Sequence, residues 1–162
     1  NLVNPTTDIP TCAFDLDLGV DGNGNLHIAV VVGAGGGSGD YSISTGTAAG
    51  LAIYDITRGT SPCDWSAYRL SSIETFRGTW GDVPEDNRPQ VSISPDGTKI
   101  IFGWLDSDAT AAAGENSVPN LHTRGLDIVS GLATVVTNWT AGDPDWDGSA
   151  LFASFAQVIQ AL

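Results

Sequence analysis

Three features of the sequence predict an all-β fold. The 162 residues hold 20 glycines and 8 prolines against only 15% charged residues, so turns are plentiful and material for solvated helix faces is scarce. Several short stretches alternate apolar and polar residues with period two, and none carries a long 3.6-residue apolar period. Two of the alternating stretches also flank an Asp-Gly turn, the strongest short-range hairpin signal. These run from Phe14 to Val32 around Asp21-Gly22 and from Arg88 to Trp104 around Asp96-Gly97. A hydrophobic content of 41% is enough for one buried core.

Taken in order, residues 1–13 are rich in Pro and Thr and read as an extended segment. A first β unit covers 14–86, with strands predicted at Phe14–Val20, Leu26–Val32, Gly50–Asp55 and Ser66–Leu70. In the first of these, Phe14, Leu16, Leu18 and Val20 alternate with Asp15, Asp17 and Asp21, which places the acids together on one face, read as solvated. Asp21-Gly-Asn-Gly-Asn25 is a turn because Asn and Gly tolerate positive φ. Ile28–Val32 is the longest apolar run, of strand length and far too short to cross a membrane as a helix. Gly33–Gly39 reads as a surface loop; without a following Lys-Ser/Thr it is not a phosphate loop.

The second unit covers 87–141, with strands at Gln90–Ser94, Lys99–Leu105, Asn120–Asp127 and Ala133–Asn138. Val91 and Ile93 are expected inward and Ser92 and Ser94 outward, with a turn at Ile128–Gly131. A partial third unit, 142–162, contains a strand expected at Ala150–Phe155. Its apolar run to Leu162 needs cover from outside the chain or from another copy, since an open apolar edge invites aggregation. Four short strands per repeated unit is the pattern of β-propeller blades. The expectation is therefore four-stranded antiparallel blades, two complete and a third partial, in an incomplete ring.

Charge narrows the partners. The net charge is −13, from 19 acids against 6 bases, which repels phosphate backbones and anionic lipid. Nucleic acid and membrane insertion are excluded as partners; divalent cations, cationic partners or plain solubility fit. Cys12 and Cys63 carry no metal or redox motif and are expected to form one disulfide, which points to a secreted or cell-surface protein. A chain beginning at Asn1 without Met reads as a processed protein or a fragment.

Asp143-Pro-Asp-Trp-Asp-Gly148 is the best candidate for chemistry. Asp143, Asp145 and Asp147 at alternate positions can converge on one calcium ion, with the glycine making the sharp turn, although Ser154 stands where an EF-hand needs its twelfth-position Glu. Among the 5 tryptophans, Trp104 and Trp139 end strands and read as packing, whereas Trp80 and Trp146 lie in loops and are the candidates for stacking on carbohydrate. His27 and His122 are single histidines on strands and read as structural, since zinc sites need clustered ligands. Asn138-Trp-Thr140 matches the glycosylation acceptor pattern. No nucleophile elbow, His-Glu-x-x-His or Cys-x-x-Cys occurs.

Pro89-Gln-Val-Ser-Ile-Ser-Pro-Asp-Gly-Thr-Lys-Ile-Ile-Phe102 is similar to the Ser-Pro-Asp-Gly blade motif of TolB-like β-propellers, and Leu121–Thr140 resembles the two outer strands that follow in such a blade. Val20–Ala29 resembles the corresponding turn of sialidase-type propellers. Glu85–Gln90 together with Arg124-Gly-Leu-Asp127 is similar to propeller segments in exported surface proteins of Bacteroidetes. The sialidase Asp box is not met by Ser94-Pro-Asp-Gly-Thr98, and Arg58, Arg69, Arg77, Arg88 and Arg124 lack the setting of an arginine triad. The resemblance implies a non-catalytic exported module that binds or builds at a cell surface. The alternatives are a self-assembling fibre or surface-layer subunit, whose open sheet edges pair between copies, and a fragment of a larger glycan-processing enzyme.

Overall fold

The computed structural model of the chain describes residues 9–35, 51–58, 61, 63–76, 87–110, 115–151 and 153–158. All regular structure among them is β. One four-stranded antiparallel sheet is a simple meander of β1 (Ile9–Val20), β2 (Leu26–Gly35), β3 (Ala52–Arg58) and β4 (Trp65–Ser72). A second repeats the meander with β5 (Gln90–Ile93), β6 (Lys99–Asp106), β7 (Asn120–Asp127) and β8 (Leu132–Ala133), and β9 (Thr137–Asn138) also pairs with β7. The strand expected at Ala133–Asn138 is thus two short pieces. Between them the Thr134 hydroxyl accepts the Gly125 N–H at 2.9 Å, and a side chain stands in for the ladder.

The sheets stack face to face. Ala29, Val31, Ile53 and Leu70 of the first share one core with Val91, Ile100, Phe102 and Trp104 of the second. On the other face of the first sheet, Val30, Val32, Ala52 and Tyr54 form a separate buried cluster. Burial on both faces explains why β2 reads as a continuous apolar run rather than an alternation.

In strand β1 the apolar side chains from Leu16 to Val20 lie outside; Asp15 is exposed as expected, but Asp17 is half-buried and Asp21, just beyond the strand, is buried. Leu16, Leu18 and Val20 are 51%, 56% and 56% exposed. Asp17 turns instead toward the second sheet, where its carboxylate accepts the Val91 N–H at 2.8 Å and the Leu18 N–H at 2.9 Å. Ser92 and Ser94, expected outward, are buried, because β5 lies between β1 on one side and the C-terminal segment on the other.

Close backbone approach sets the seam between the sheets. Gly22 N–H donates to the Gly97 carbonyl at 3.0 Å, joining the two Asp-Gly turns. Gly97 has φ +70°, and a Cβ there would stand 2.2 Å from the Gly22 nitrogen. Residues 153–158 run beside β5 and are not the regular strand expected at Ala150–Phe155. Ile93 N–H donates to the Gln157 carbonyl at 3.0 Å, and Ile93 pairs with Val158 in parallel. Gln90 holds the segment twice, accepting Phe155 N–H at 2.6 Å and donating to the Ala153 carbonyl at 3.1 Å. The Phe155 ring covers Gly103, where a Cβ would stand 1.8 Å from it. Along 153–158 the chain thus packs against β5 through its backbone and Phe155, while Val158 remains 62% exposed.

Candidate functional site: a polar cleft where β4, β6 and β7 meet

A cleft of about 940 Å³ opens where the ends of β4 and β6 face the start of β7. Its titratable walls are Glu74, Asp106, Asp108, His122 and Asp147. The fold brings them together from four separate stretches. Residues 73–76 leave β4 and cross to the end of β6, where Asp106 accepts Glu74 N–H at 2.9 Å, Thr75 N–H at 3.0 Å and the Thr75 hydroxyl at 2.7 Å. Behind them, Asn87 donates to the carbonyls of Thr75 and Leu105 at 3.0 and 2.8 Å, tying the crossing segment to β6. Asp106 is buried, and burial pushes its carboxyl up to about 6 in spite of these donors, with the nearby charge of Glu74 acting in the same direction.

His122 forms part of the wall with its ring stacked on Trp104, the centroids 5.8 Å apart and the planes 16° from parallel. Burial lowers its pKa, while a hydrogen bond to the Asp106 backbone carbonyl and the charge of Glu74 pull the other way. A neutral ring can accept at Nε2, and Asn138 Nδ2 stands 3.4 Å from it. The Ser107 hydroxyl donates to Asn116 at 2.8 Å rather than to a base. The cleft thus presents carboxylates and a neutral imidazole, a surface that favours neutral polyhydroxylated or cationic ligands over anions.

Across the 147–149 segment, with Ser149 common to both, lies a smaller pocket of about 480 Å³ lined by Leu121, Thr140, Trp146, Ala150 and Ala153. Trp146 is 60% exposed, so the indole predicted to bind ligand does stand at the mouth of an apolar pocket. Trp80 lies outside the described residues. Trp104, read as packing, is buried, whereas Trp139 is 64% exposed and donates through Nε1 to the Thr123 hydroxyl at 2.8 Å.

The predicted calcium ligands do different jobs. Asp143 accepts the backbone N–H groups of Asp145 and Trp146 at 2.9 and 3.1 Å, which closes its own turn. Asp147 accepts from Asn120 Nδ2 at 2.9 Å, an interaction that holds its pKa below the usual range. Among the described residues no three His, Cys, Asp or Glu side chains converge as a metal site.

The expected disulfide is absent: Cys12 and Cys63 are both free and exposed. The topology gives the reason. Cys12 lies on β1 and Cys63 just before β4, the two opposite edges of the sheet. Cys12 stands level with Val32, Ala52 and Ser72, whereas Cys63 precedes Trp65 at the other end of β4. The three interstrand steps of about 4.8 Å alone amount to roughly 14 Å, beyond the ~7 Å Cα separation a disulfide can bridge.

The sequence missed Glu74, Asp106 and the neutral His122. Nothing in spacing marks them, since they meet only through the crossing of 73–76 onto β6. No family model, curated protein or solved structure matches the chain.

Proposed function

We propose that the chain is a non-catalytic, β-propeller-like module of a secreted or cell-surface protein, made of two blades and the start of a third, and that it works by binding. The observation that carries this reading is the repetition of one stacking step. Strand β5 opens the second meander beside β1 of the first, and residues 153–158 take a corresponding place beside β5. Such a series of inner strands is what successive blades require. The engagement of the cleft hydroxyls and amides in internal bonds supports a scaffold rather than a nucleophile.

Carbohydrate is the ligand class that suits Trp146, whose exposed indole can stack on a sugar face beside an apolar pocket. Calcium belongs to the same reading at the 143–147 turn. Light scattering comes first and should give a small monodisperse species. Oligosaccharide titration should then quench tryptophan fluorescence in the wild type and not in Trp146→Ala, and calorimetry with calcium on wild type and Asp145→Ala tests the turn. A well-folded wild type that binds no member of a broad glycan panel overturns carbohydrate binding.

A second reading, self-assembly, has its own support. Val129, Leu132, Val135 and Trp139 leave the outer margin of the second sheet apolar, being 79%, 71%, 81% and 64% exposed. Particles of many copies in the same scattering experiment would favour it.

A further inference from the structure

Three buried ionisable groups lie away from the cleft, where the first turn meets β2 and β3. His27, Asp55 and Asp21 are 4%, 1% and 5% exposed. His27 Nδ1 is 2.8 Å from Asp55 Oδ2, and its Nε2 is 3.6 Å from Asp21 Oδ2. The first is a hydrogen bond and the second an ion-pair separation. Among the described residues neither His27 Nε2 nor Asp55 Oδ1 has a hydrogen-bond partner. With both ring nitrogens protonated, each carboxylate faces a donor. A neutral ring would leave two buried carboxylates with only one ring N–H and no positive charge between them.

Among the described residues no other charged group is placed to neutralise them. On β4, Tyr68 stands opposite Asp55, but its hydroxyl is taken by Arg124, which also donates to the Leu70 carbonyl at 2.6 Å. Arg58 and Arg69 fall on the opposite face by strand alternation. From the second sheet, β6 presents only the uncharged Phe102 ring, 6.4 Å from the imidazole. Lys99 pairs with Asp127, Asp96 with Ser94 and Thr98, and Asp17 with the Val91 and Leu18 amides.

Asp21 is also the residue that shapes the turn. It accepts the N–H groups of Asn23 and Asn25 at 2.9 and 2.8 Å and the Asn25 side-chain amide at 3.0 Å. The next residue, Gly22, makes the bond to Gly97 across the seam.

We infer that Asp21, His27 and Asp55 form an alkali-sensitive lock on the seam between the sheets: the His27 imidazolium holds the 21–25 turn against the 95–98 turn, and loss of its proton releases that contact. Burial by itself pulls the His27 pKa down, but the hydrogen bond and charge of Asp55, joined by Asp21, outweigh it and the net direction is up. The stabilisation is therefore complete below the ordinary value of 6.5 and is lost as pH rises through the raised folded value.

Nitrogen NMR of the two imidazoles in the full chain, with hydrogen exchange at the Gly22 amide from about pH 6 to 9 corrected for intrinsic rate, tests the lock. His27 should titrate above 6.5 and His122 below it. Gly22 protection should fall by about tenfold for each pH unit by which the His27 titration is raised. Asp55→Asn should lower that titration and remove the pH step at Gly22. His27 titrating at or below 6.5, or Gly22 protection that does not change with pH, overturns the inference. Both of those readouts come from the wild type, so a variant that fails to fold leaves the test intact.

Discussion

The turns 21–25 and 95–98 carry the same Asp-Gly step at the same place in their hairpins, yet their aspartates end in opposite surroundings. Asp96 is exposed, and its carboxylate takes the Ser94 hydroxyl at 2.7 Å and the Thr98 N–H at 3.0 Å, which brings its pKa down to about 2. Asp21 makes the same kind of local bonds, but it is buried beside His27. Burial raises its pKa, while the Asn25 and Asn23 bonds and His27 together lower it further. Turn chemistry is common to both. What differs is the neighbour each aspartate meets: β3 brings Asp55 to His27 beside Asp21, whereas the Asp96 side chain faces solvent.

The contact between these turns offers the largest effect. Gly97→Ala puts a Cβ 2.2 Å from the Gly22 nitrogen at φ +70°. It should cost about 3 kcal/mol or more in guanidinium unfolding, the sum of left-handed strain and overpacking. Gly24→Ala, at φ +83° with open space around it, should cost only about 1 kcal/mol. Equal costs would mean that the turns do not touch.

Asp106 extends the comparison to an acid whose pKa is raised rather than lowered. Its folded value of about 6 stands above the ordinary 3.8, so the folded state holds the extra proton between them. Stability should fall by about 3 kcal/mol as pH rises from about 4 to about 6, and stay lower above that. Asp106→Asn should flatten this slope in urea unfolding measured across that range. A wild-type curve that rises with pH there would contradict the burial argument.

Asp17 distinguishes the inner strands. Asp17→Ala leaves the Val91 and Leu18 amides without their carboxylate and should cost about 1–2 kcal/mol, read as a lower urea midpoint with faster exchange at Val91. If Asp17 is only a solvated acid, as alternation on its own suggests, the variant will match the wild type. The smallest effect is expected of a reductant. With Cys12 and Cys63 free, reduction should leave the melting temperature unchanged, and both thiols should react with a thiol reagent in the unfolded chain without prior reduction. Burial raises the Cys12 thiol pKa and should slow its alkylation in the native protein.

Much of the architecture was legible in particular residues. Asp21-Gly22 and Asp96-Gly97 located both hairpins, and β2, β5, β6 and β7 lie within a few residues of their expected bounds. The candidate site was hardly legible. Trp146 was singled out because a large aromatic in a Gly/Asp-rich loop is conspicuous, whereas Asp106 and His122 look like ordinary strand-end and strand residues. Cys12 and Cys63 suggested a bond only because distance along a chain says nothing of which sheet edge each cysteine occupies.

The sequence by itself determined the turns and the two-residue period, since these depend on φ preferences and on side chains bonding backbone within four residues of themselves. Only the tertiary structure decided which face of that period is inside. Leu16 and Leu18 point out and Asp17 points in, because stacking β1 beside β5 brings the Val91 amide within reach of a carboxylate. The same stacking buries His27 between two acids and closes the cleft over Asp106. Burial depends on which surfaces meet, and residues far apart in sequence settle that together.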